Sequence, residues 1–542
     1  MQLIKNASEN KLRGGYYTPS LIANFILKWA LKGEGKTKFV LEPSCGDGAF
    51  LRELKKNSRF KFKKLVAVEY NAIEAAKAKK IDLKNSTVLH EDFHKFCIST
   101  KDRFDVVVGN PPYIRYQYYK KGEKDLAERI FRKSSLKYSK LTNAWVTFVV
   151  GACQLLNDTG KLGFVVPAEL LQVSYSKQVR NFLAHFFNKI FVVSFQKLVF
   201  EDAEQEVVLL LCEKDTSKSH FIGHVQVKDA QSLTALDANN LEESLKPVDF
   251  KCDKWTYYFL SSQEIALLNR LKNLPKISDY ASVEVGITTG ANSYFSVTKE
   301  TVEKYKLQKY AFPMVGRSVQ VNCAVFGTED WRKNVNKGTR ANLLIFPEAT
   351  NKKGSSKVKE YLEKGVQAGV DKGYKTSIRD DWYVIPSIKL SDALFLRRNH
   401  LCPKLVLNKA NAYTTDTMHR VFIKENVDKS AFIASYYNSL SFASAEIVGR
   451  SFGGGVLELM PSEVESIILP FDESYKSLLE DIDSIVRDPK KSIDDVLSLT
   501  DEIILGKGLG LSQQDISIIN GIWKKLSGRR LNRARTNKKK DV

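Results

Sequence analysis

The sequence lacks the features that mark disulfide-rich, zinc-binding and membrane-spanning proteins. Its seven cysteines form no Cys-x-x-Cys pair, which disfavours a disulfide framework or a zinc site and predicts reduced thiols. The pairs His90/His94 and His220/His224 have no further ligand pair beside them, so we predict that the protein holds no metal. No apolar run is long enough to span a bilayer, and the N-terminus has no signal-peptide core. We therefore expect a cytoplasmic protein that does not enter a membrane.

Positive charge is present in large excess. The 542 residues carry a formal net charge of +22, while a hydrophobic content of 43% is ordinary for a globular protein. Residues 524–540 contain nine Lys or Arg and no Asp or Glu, and removal of these nine charges still leaves +13. We therefore expect a nucleic acid partner, whose binding would be driven by counterion release. The alternative is a basic surface that serves only solubility.

The first part of the chain predicts an α/β fold, and the chain length suggests two or three domains. Up to about residue 215, short apolar runs alternate with helical stretches, which predicts a parallel, doubly wound sheet. The predicted strands are 39–41, 65–68, 87–89, 105–108, 161–166, 190–195 and 207–212, and the predicted helices are 20–31, 48–57, 72–79, 144–155 and 176–186.

The pattern changes after these strands. Polar residues 214–251 suggest a loop-rich connection, and the stretch that follows mixes short strands, turns and charged segments. Apolar periodicity from 474 to 526 predicts helices. We therefore expect an α/β catalytic domain over 1–245, a mixed α+β domain over 251–470, and a helical segment with a basic tail over 471–542.

The residues Asn110-Pro111-Pro112-Tyr113 follow an apolar run, 104–109, that predicts a buried strand. The Asn110 side-chain oxygen and the Pro111 carbonyl can each accept one N–H of a planar exocyclic amine. Both prolines lack an N–H donor and stiffen the turn, and Tyr113 offers a flat face for a base. The motif therefore suits methylation of an amine nitrogen. A proline-rich turn without this chemistry is the alternative.

A glycine-rich turn follows the first predicted strand and reads Glu42-Pro43-Ser44-Cys45-Gly46-Asp47-Gly48. Its glycines permit a tight turn and a close approach to a ligand before a helix N-terminus. The turn is neither Gly-x-Gly-x-x-Gly nor a P-loop, because it contains no Gly-Lys-Ser/Thr. The carboxylate of Glu42 favours a cationic group, such as an ammonium or a sulfonium, over a pyrophosphate.

Acidic residues follow the next two predicted strands. Glu69 lies about 20 residues after the glycine-rich turn, where a carboxylate can accept both hydroxyls of a ribose. Asp92 can accept an adenine amino group, and Phe93 can pack on the adenine ring. A solvated acid is the alternative for each residue alone. In this order and spacing, they together describe a site for S-adenosylmethionine.

Glu-Pro-x-Cys-Gly-x-Gly-x-Phe-Leu, Glu69, Asp92-Phe93 and Asn-Pro-Pro-Tyr resemble the motifs of amino-group DNA methyltransferases. The resemblance is closest to the gamma-class, TaqI-type N6-adenine enzymes of bacterial restriction–modification systems, and it is dense over 16–212. It implies a Rossmann-like class I methyltransferase sheet, S-adenosylmethionine as cofactor and double-stranded DNA as substrate, with the target base flipped out. It also implies that 251–470 is a DNA target-recognition domain. No separate nuclease domain is evident in the sequence, so we expect any cognate restriction endonuclease to be a separate polypeptide.

The resemblance assigns roles to single residues. Thr18 matches a threonine in the segment that covers the cofactor in this family. Phe200 matches a phenylalanine that packs on the flipped base opposite Tyr113, although a core aromatic is an equal alternative. The candidate cofactor-binding residues are thus Thr18, Glu42, Pro43, Ser44, Cys45, Gly46, Glu69, Asp92, Phe93 and Pro112.

Further segments resemble the DNA-facing parts of this family. They are the basic and aromatic residues after Tyr113 and the glycine-containing stretches 286–295, 313–317 and 453–459. A solvated helix face and ordinary turns are the alternatives. The candidate DNA-binding residues are Arg115, Lys120, Lys121, Asn292 and Arg317.

Several reactions share these motifs. The absence of a Pro-Cys dipeptide disfavours C5-cytosine methylation, which needs that nucleophile. N4-cytosine enzymes usually carry Ser in place of Asn110, and protein glutamine methyltransferases are typically much shorter. An rRNA adenine methyltransferase stays open, while the intact motifs disfavour a DNA-binding module with an inactive methylase fold. We expect N6-adenine methylation of DNA, with Asn110, Pro111 and Tyr113 as the catalytic residues.

Overall fold

The computed structural model describes residues 17–32, 38–114, 121–139, 142–197, 199–200 and 206–538. The chain divides into two compact units, of which one extends through Ser262 and the other covers Gln263–Asn537. None of the helices within the described ranges combines the length and the apolar character that a bilayer crossing requires.

The described part of the first unit is built on one nine-stranded sheet. Its strands are β1 (Lys38–Glu42), β2 (Phe62–Glu69), β3 (Ser86–His90), β4 (Phe104–Gly109), β5 (Leu156–Pro167), β6 (Lys189–Phe195), β7 (Val207–Glu213), β8 (Phe221–Val227) and β9 (Leu245–Pro247). They lie in the order β3-β2-β1-β4-β5-β7-β6-β8-β9. Strands β1 to β5 are parallel to one another, and β7 runs antiparallel between β5 and β6. The predicted α/β sheet is thereby confirmed.

Helices cover this sheet. They are α1 (Ser20–Ala30), α2 (Ala49–Lys56), α3 (Ala72–Lys79), α4 (Phe93–Ser99), α5 (Lys121–Lys133), α6 (Ala144–Leu155), α7 (Lys177–Phe186) and α8 (Ala238–Glu243). Helix α1 packs on β4 and β5, while α4, α5 and α6 pack on one another. A Cβ at Gly163 of β5 would lie 2.6 Å from Ile26 Cγ2 of α1, so this glycine permits their close approach.

The predicted loop-rich connection over 214–251 is wrong. Strand β8 pairs in parallel with β6 along its whole length, and β9 pairs antiparallel with β8. Apolar periodicity missed β8 because Gly223, His224 and Gln226 interrupt it. The strand lies near the edge of the sheet and is only partly buried, so it needs no continuous apolar run.

The second unit contains three smaller sheets. Its strands are β10 (Ala281–Val285), β11 (Ser296–Val297), β12 (Ala311–Val315), β13 (Val325–Phe326), β14 (Asn342–Leu344), β15 (Ala393–Leu396), β16 (Arg398–Asn399), β17 (Leu405–Asn408), β18 (Tyr413–Thr414), β19 (Met418–Ile423), β20 (Arg450–Phe452) and β21 (Val456–Glu458). The strand orders are β10-β19-β15-β17-β13, β11-β14-β12-β18 and β16-β21-β20. This mixture of short strands and helices agrees with the predicted α+β character.

Helices surround these sheets and form the C-terminal part of the unit. They are α9 (Ser262–Leu271), α10 (Ile277–Tyr280), α11 (Asn292–Phe295), α12 (Lys299–Lys304), α13 (Thr328–Asn336), α14 (Thr350–Lys353), α15 (Ser356–Gln367), α16 (Lys429–Tyr436), α17 (Ser439–Val448), α18 (Pro461–Glu465), α19 (Leu478–Arg487), α20 (Ile493–Thr500) and α21 (Gln513–Lys538), with a π-helix over Asp501–Gly508.

A buried ion pair ties the last helix to the body of the second unit. Arg530 of α21 lies 2.6 Å (Nη2 to Oε1) from Glu446 of α17, and the two side chains are 1% and 3% exposed. The same guanidinium donates to the carbonyl oxygens of His400 and Gly455. The predicted helical C-terminal segment is thereby confirmed, and its helices belong to the second compact unit.

Candidate active site

The cofactor motif and the Asn-Pro-Pro-Tyr motif meet at the carboxyl ends of two neighbouring parallel strands. Strand β1 pairs with β4, so the turn after Glu42 lies beside the turn after Gly109. The Ser44 hydroxyl donates a hydrogen bond of 3.2 Å to the backbone carbonyl of Asn110. Ligands of open α/β sheets bind at this edge. Two motifs that are 66 residues apart in sequence are therefore joined directly.

The glycine-rich turn is held by the carboxylate of Glu69. Gly46 N–H donates to Glu69 Oε2 and Asn71 N–H donates to Oε1, each at 2.8 Å. Gly46 and Gly48 have φ angles of +53° and +90°, which glycine adopts without strain. A carboxylate has about four acceptor positions, so capacity for ribose hydroxyls is left on both oxygens.

Glu42 is a buried carboxylate with an unsatisfied oxygen. Its residue is 1% exposed, and Oε2 has no hydrogen-bond donor among the described residues. Burial raises the pKa of Glu42 well above its usual value, and the nearby carboxylates of Glu69 and Asp47 raise it further. A bound cation would compensate this cost, so the site fits an ammonium or sulfonium ligand.

Cys45, Pro43 and Thr18 are three further candidate cofactor-binding residues. Cys45 is buried, and burial raises the pKa of its thiol, so it packs as a small neutral side chain. Pro43 lies against β4, because a Cβ at Gly109 would be 3.5 Å from Pro43 Cδ. Thr18 is half-buried and precedes Pro19, whose carbonyl accepts the first N–H bonds of α1.

Asp92 caps helix α4 through its Oδ1, which accepts from Lys95 N–H at 3.0 Å. Burial alone would raise the pKa of Asp92, but hydrogen bonding to His94 and to backbone N–H groups outweighs it and lowers the pKa. The carboxylate is therefore charged and can accept hydrogen bonds.

Phe93 differs from its sequence-based role. Its side chain is buried in the core, with the ring 4.8 Å from the ring of Phe148, centroid to centroid. That ring has almost no exposed face for a cofactor adenine. Tyr70, which follows Glu69 at the end of β2, is 60% exposed and was missed by the sequence analysis. The signal was its position: an aromatic directly after the acidic residue of the second strand.

The Asn-Pro-Pro-Tyr turn is compact and preorganised. The Tyr113 hydroxyl donates to Asn110 Oδ1 at 2.8 Å and lies 3.2 Å from the carbonyl oxygen of Val165 in β5. Pro111 is buried and Pro112 is half-buried. Tyr113 is only 8% exposed, so its ring is not the open platform that the sequence suggested.

Phe200 is 7% exposed and belongs to the same cluster of buried side chains as Tyr113. Its sequence-based role opposite Tyr113 stays a prediction. Of the candidate DNA contacts, Arg115 and Lys120 lie outside the described residues, and Lys121 begins α5.

Asn292 and Arg317 lie in the second unit. Asn292 Nδ2 donates to Asp416 Oδ1 at 2.8 Å, and this hydrogen bond links the loop around Asn292 to the segment that contains Asp416. Arg317 is exposed at the start of a turn. Within the described ranges, no group of three or more His, Cys, Asp and Glu residues could hold a metal ion.

The sheet order with its reversed β7, and the site at the ends of β1, β2 and β4, define a Rossmann-like methyltransferase fold. Residues 22–200 match the family model of the Eco57I restriction–modification methylase, and residues 252–505 match that of the C-terminal domain of the Type II methyltransferase M.Eco57I. Both compact units are thus similar to Type II restriction–modification methyltransferases.

Individual relatives extend over most of the chain. The Type II methyltransferase M.AccI of Acinetobacter calcoaceticus is 24% identical over 91% of this chain and 93% of its own length. M.XamI of Xanthomonas campestris pv. amaranthicola is 21% identical over 84% of this chain and 85% of its own length. The fold is similar to that of the Type IIL restriction–modification enzyme MmeI, solved in complex with DNA, with a TM-score of 0.56, 14% identity, and coverage of 94% of this chain and 75% of that one.

Proposed function

We propose that this chain transfers a methyl group from S-adenosylmethionine to N6 of an adenine flipped out of duplex DNA. The observation that carries the proposal is the hydrogen bond from Ser44 to the Asn110 carbonyl. It joins a turn suited to a cationic cofactor to a turn suited to a planar amine. Similarity to Type II restriction–modification methyltransferases over both units supports DNA as the substrate.

Three carboxylates would hold the cofactor. Glu42, whose Oε2 has no donor within the described ranges, would receive a cationic group, Glu69 the ribose hydroxyls, and Asp92 the adenine amino group. Because the Phe93 ring is buried, we assign adenine packing to the exposed ring of Tyr70. When bound, S-adenosylmethionine supplies a methyl group on an electron-poor sulfonium.

Asn110 and Pro111 would activate the amine. The lone pair of an aromatic amine is delocalised into its ring, which makes it a poor nucleophile. Two acceptors, Asn110 Oδ1 and the Pro111 carbonyl, would each hold one N–H and favour tetrahedral nitrogen. The catalytic gain is then positioning and preorganised electrostatics, and the attack needs no basic side chain.

Entry of the base would place an N–H donor beside an existing hydrogen bond. Asn110 Oδ1 accepts the Tyr113 hydroxyl, but an amide oxygen has two lone pairs, so binding of the base N–H does not by itself break that bond. A neutral hydrogen bond contributes only about 0.5–1.5 kcal/mol net. Stacking on an aromatic ring returns about 1–3 kcal/mol, against a flipping cost of a few kcal/mol. Because Tyr113 and Phe200 are buried, side chains around them must move to admit the base.

The assignment of adenine rests on Asn110, because N4-cytosine enzymes usually carry Ser there. We further propose that the protein acts in the cytoplasm as the modification enzyme of a restriction–modification system, with a separately encoded endonuclease. The N-terminal α/β unit would be catalytic and the region from about 251 onward would recognise the DNA target.

The test is methylation of defined DNA. Unmethylated phage DNA is incubated with the full chain and tritiated S-adenosylmethionine, digested to nucleosides and separated, with Asn110→Ala as the inactive control. We expect the label in N6-methyl-2′-deoxyadenosine and in no other nucleoside. Label in N4-methylcytosine would correct the base, and label in RNA or protein with unlabelled DNA would refute the proposal.

Base flipping has its own test. The fluorescence of a 2-aminopurine at the mapped target position should increase on binding, as expected for a flipped base.

A further inference from the structure

An exposed apolar and basic segment lies in the second unit, at residues 372–379, here called the Tyr374 projection. Tyr374 is 81% exposed and Ile378 is 71% exposed. Single exposed apolar side chains are common on protein surfaces. Here two large ones lie four residues apart on a hydrogen-bonded turn, and together they give this segment exposed apolar surface.

The backbone beneath these two side chains is fixed. Thr376 is fully buried, and its hydroxyl donates to the Gly373 carbonyl at 3.0 Å. The N–H of Ser377 donates to the same carbonyl at 2.8 Å. Tyr374 and Ile378 are therefore presented outward by a turn that is closed by its own hydrogen bonds, so ordering them on a partner costs little entropy.

The projection is joined to the glycine-containing loop 286–295. Arg379 Nη2 donates to the Thr289 carbonyl at 2.9 Å and lies 3.3 Å from that of Thr288. Gly290 has a φ of +81°, and a Cβ there would lie 3.0 Å from Lys375 Cβ and 3.1 Å from Thr376 Cγ2. The two segments thus form one continuous surface, and Gly290 permits their close contact.

The charge of this region favours a polyanion. Residues 350–381 contain eight Lys or Arg and five Asp or Glu, a net charge of +3. Lys375 Nζ lies 5.8 Å from the centre of the Tyr374 ring, so a cation and an aromatic face stand together. Basic groups bind phosphates, while apolar and aromatic side chains bind sugars and bases or enter base steps. That combination fits duplex DNA.

We propose that the Tyr374 projection is a DNA-binding element, in which Tyr374 and Ile378 lie against the groove and Lys375 contacts a phosphate. This inference rests on the proposed DNA methylation and adds a contact to it. The projection supplies affinity for duplex DNA and takes no part in methyl transfer.

Titration of fluorescent duplex DNA carrying the mapped site tests the inference. Tyr374→Ala/Ile378→Ala should raise Kd for the duplex about tenfold, which corresponds to about 1.4 kcal/mol. The rate at saturating DNA and the affinity for S-adenosylmethionine should stay within about twofold of wild type. Both side chains are exposed, so thermal unfolding should be unchanged. Phe250→Ala, which removes a 44% exposed aromatic side chain elsewhere, is the matched control and should bind DNA like wild type.

A second variant separates the charge from the apolar contact. Lys375→Gln should reduce the slope of log K against log salt by about 0.9, the value for one phosphate contact. If wild type methylates DNA and the double alanine variant binds the duplex as tightly as wild type, the inference about the projection is wrong. Failure of wild type itself to methylate or bind any duplex refutes the proposed function instead.

Discussion

Replacement of Glu42 by Gln should separate cofactor binding from folding stability. The Glu42 carboxylate is 1% exposed, its Oε2 has no donor among the described residues, and burial raises its pKa. Gln has the same size without the charge, so the variant removes a desolvated carboxylate without creating a cavity. We expect the free variant to be at least as stable as wild type, because burial of an unpaired charge is costly.

Cofactor binding should change in the opposite direction. A hydrogen bond to a charged group contributes about 1.5–3 kcal/mol, and 1.4 kcal/mol is a factor of ten, so Kd for S-adenosylmethionine should rise roughly ten- to hundredfold. Isothermal titration of the free protein measures it. Glu213→Gln, which removes a carboxylate paired with Lys161 at 2.7 Å, is the control and should leave this Kd unchanged.

The stability difference between wild type and Glu42→Gln should depend on pH. The pKa of Glu42 in the folded protein is raised, so the folded protein keeps this proton at pH values where the unfolded chain has lost it. The group therefore stabilises the fold fully below its unfolded pKa of about 4.3, and this contribution is lost as pH rises toward the folded pKa. The variant should gain relative stability over that range in thermal unfolding. A variant that binds the cofactor like wild type, or that is less stable at neutral pH, would refute this reasoning.

Three further substitutions test separate parts of the account. Tyr70→Ala should weaken S-adenosylmethionine binding by about 1–3 kcal/mol without lowering the unfolding temperature, because the side chain is 60% exposed; unchanged affinity would contradict the assigned packing. Ser44→Ala should slow single-turnover methylation more than it weakens cofactor binding, because it removes the hydrogen bond to Asn110; an equal loss in both would argue for a cofactor contact alone. Arg530→Met should destabilise the fold by about 3–5 kcal/mol because it leaves Glu446 buried without its partner, and Arg530→Met/Glu446→Gln should recover part of that; a wild-type unfolding midpoint in the single variant would contradict the role of the pair.

The sheet of the first unit could be predicted from the sequence because its strands are continuous apolar runs. Strands β4 and β7, for example, are buried along nearly their whole length, so their sequences carry a strong signal. Strand β8 could not be predicted, since a partly exposed strand tolerates Gly, His and Gln. The short strands of the second unit have two to six residues, too few for periodicity to identify.

The candidate site was predictable in composition but not in geometry. Motif spacing identified Glu42, Glu69 and Asn110, because parallel strands bring their carboxyl ends to one edge. The sequence could not show that Phe93 turns into the core, since the residue after a helix cap can face either way. Nor could it show that the Tyr113 hydroxyl bonds to Asn110 Oδ1, a contact that depends on side-chain rotamers.

The claim that Asn110 holds the amine for attack is tested most directly by the single-turnover rate of methyl transfer by Asn110→Ala. Cofactor and duplex are both saturating in this measurement. The rate should be lower by at least about a hundredfold, as for loss of one preorganised group that acts in the transition state. Affinity for S-adenosylmethionine should stay within about twofold of wild type, because Asn110 is assigned to the amine and not to the cofactor. Methyl transfer at the wild-type rate by this variant would contradict the claim that Asn110 holds the amine for attack.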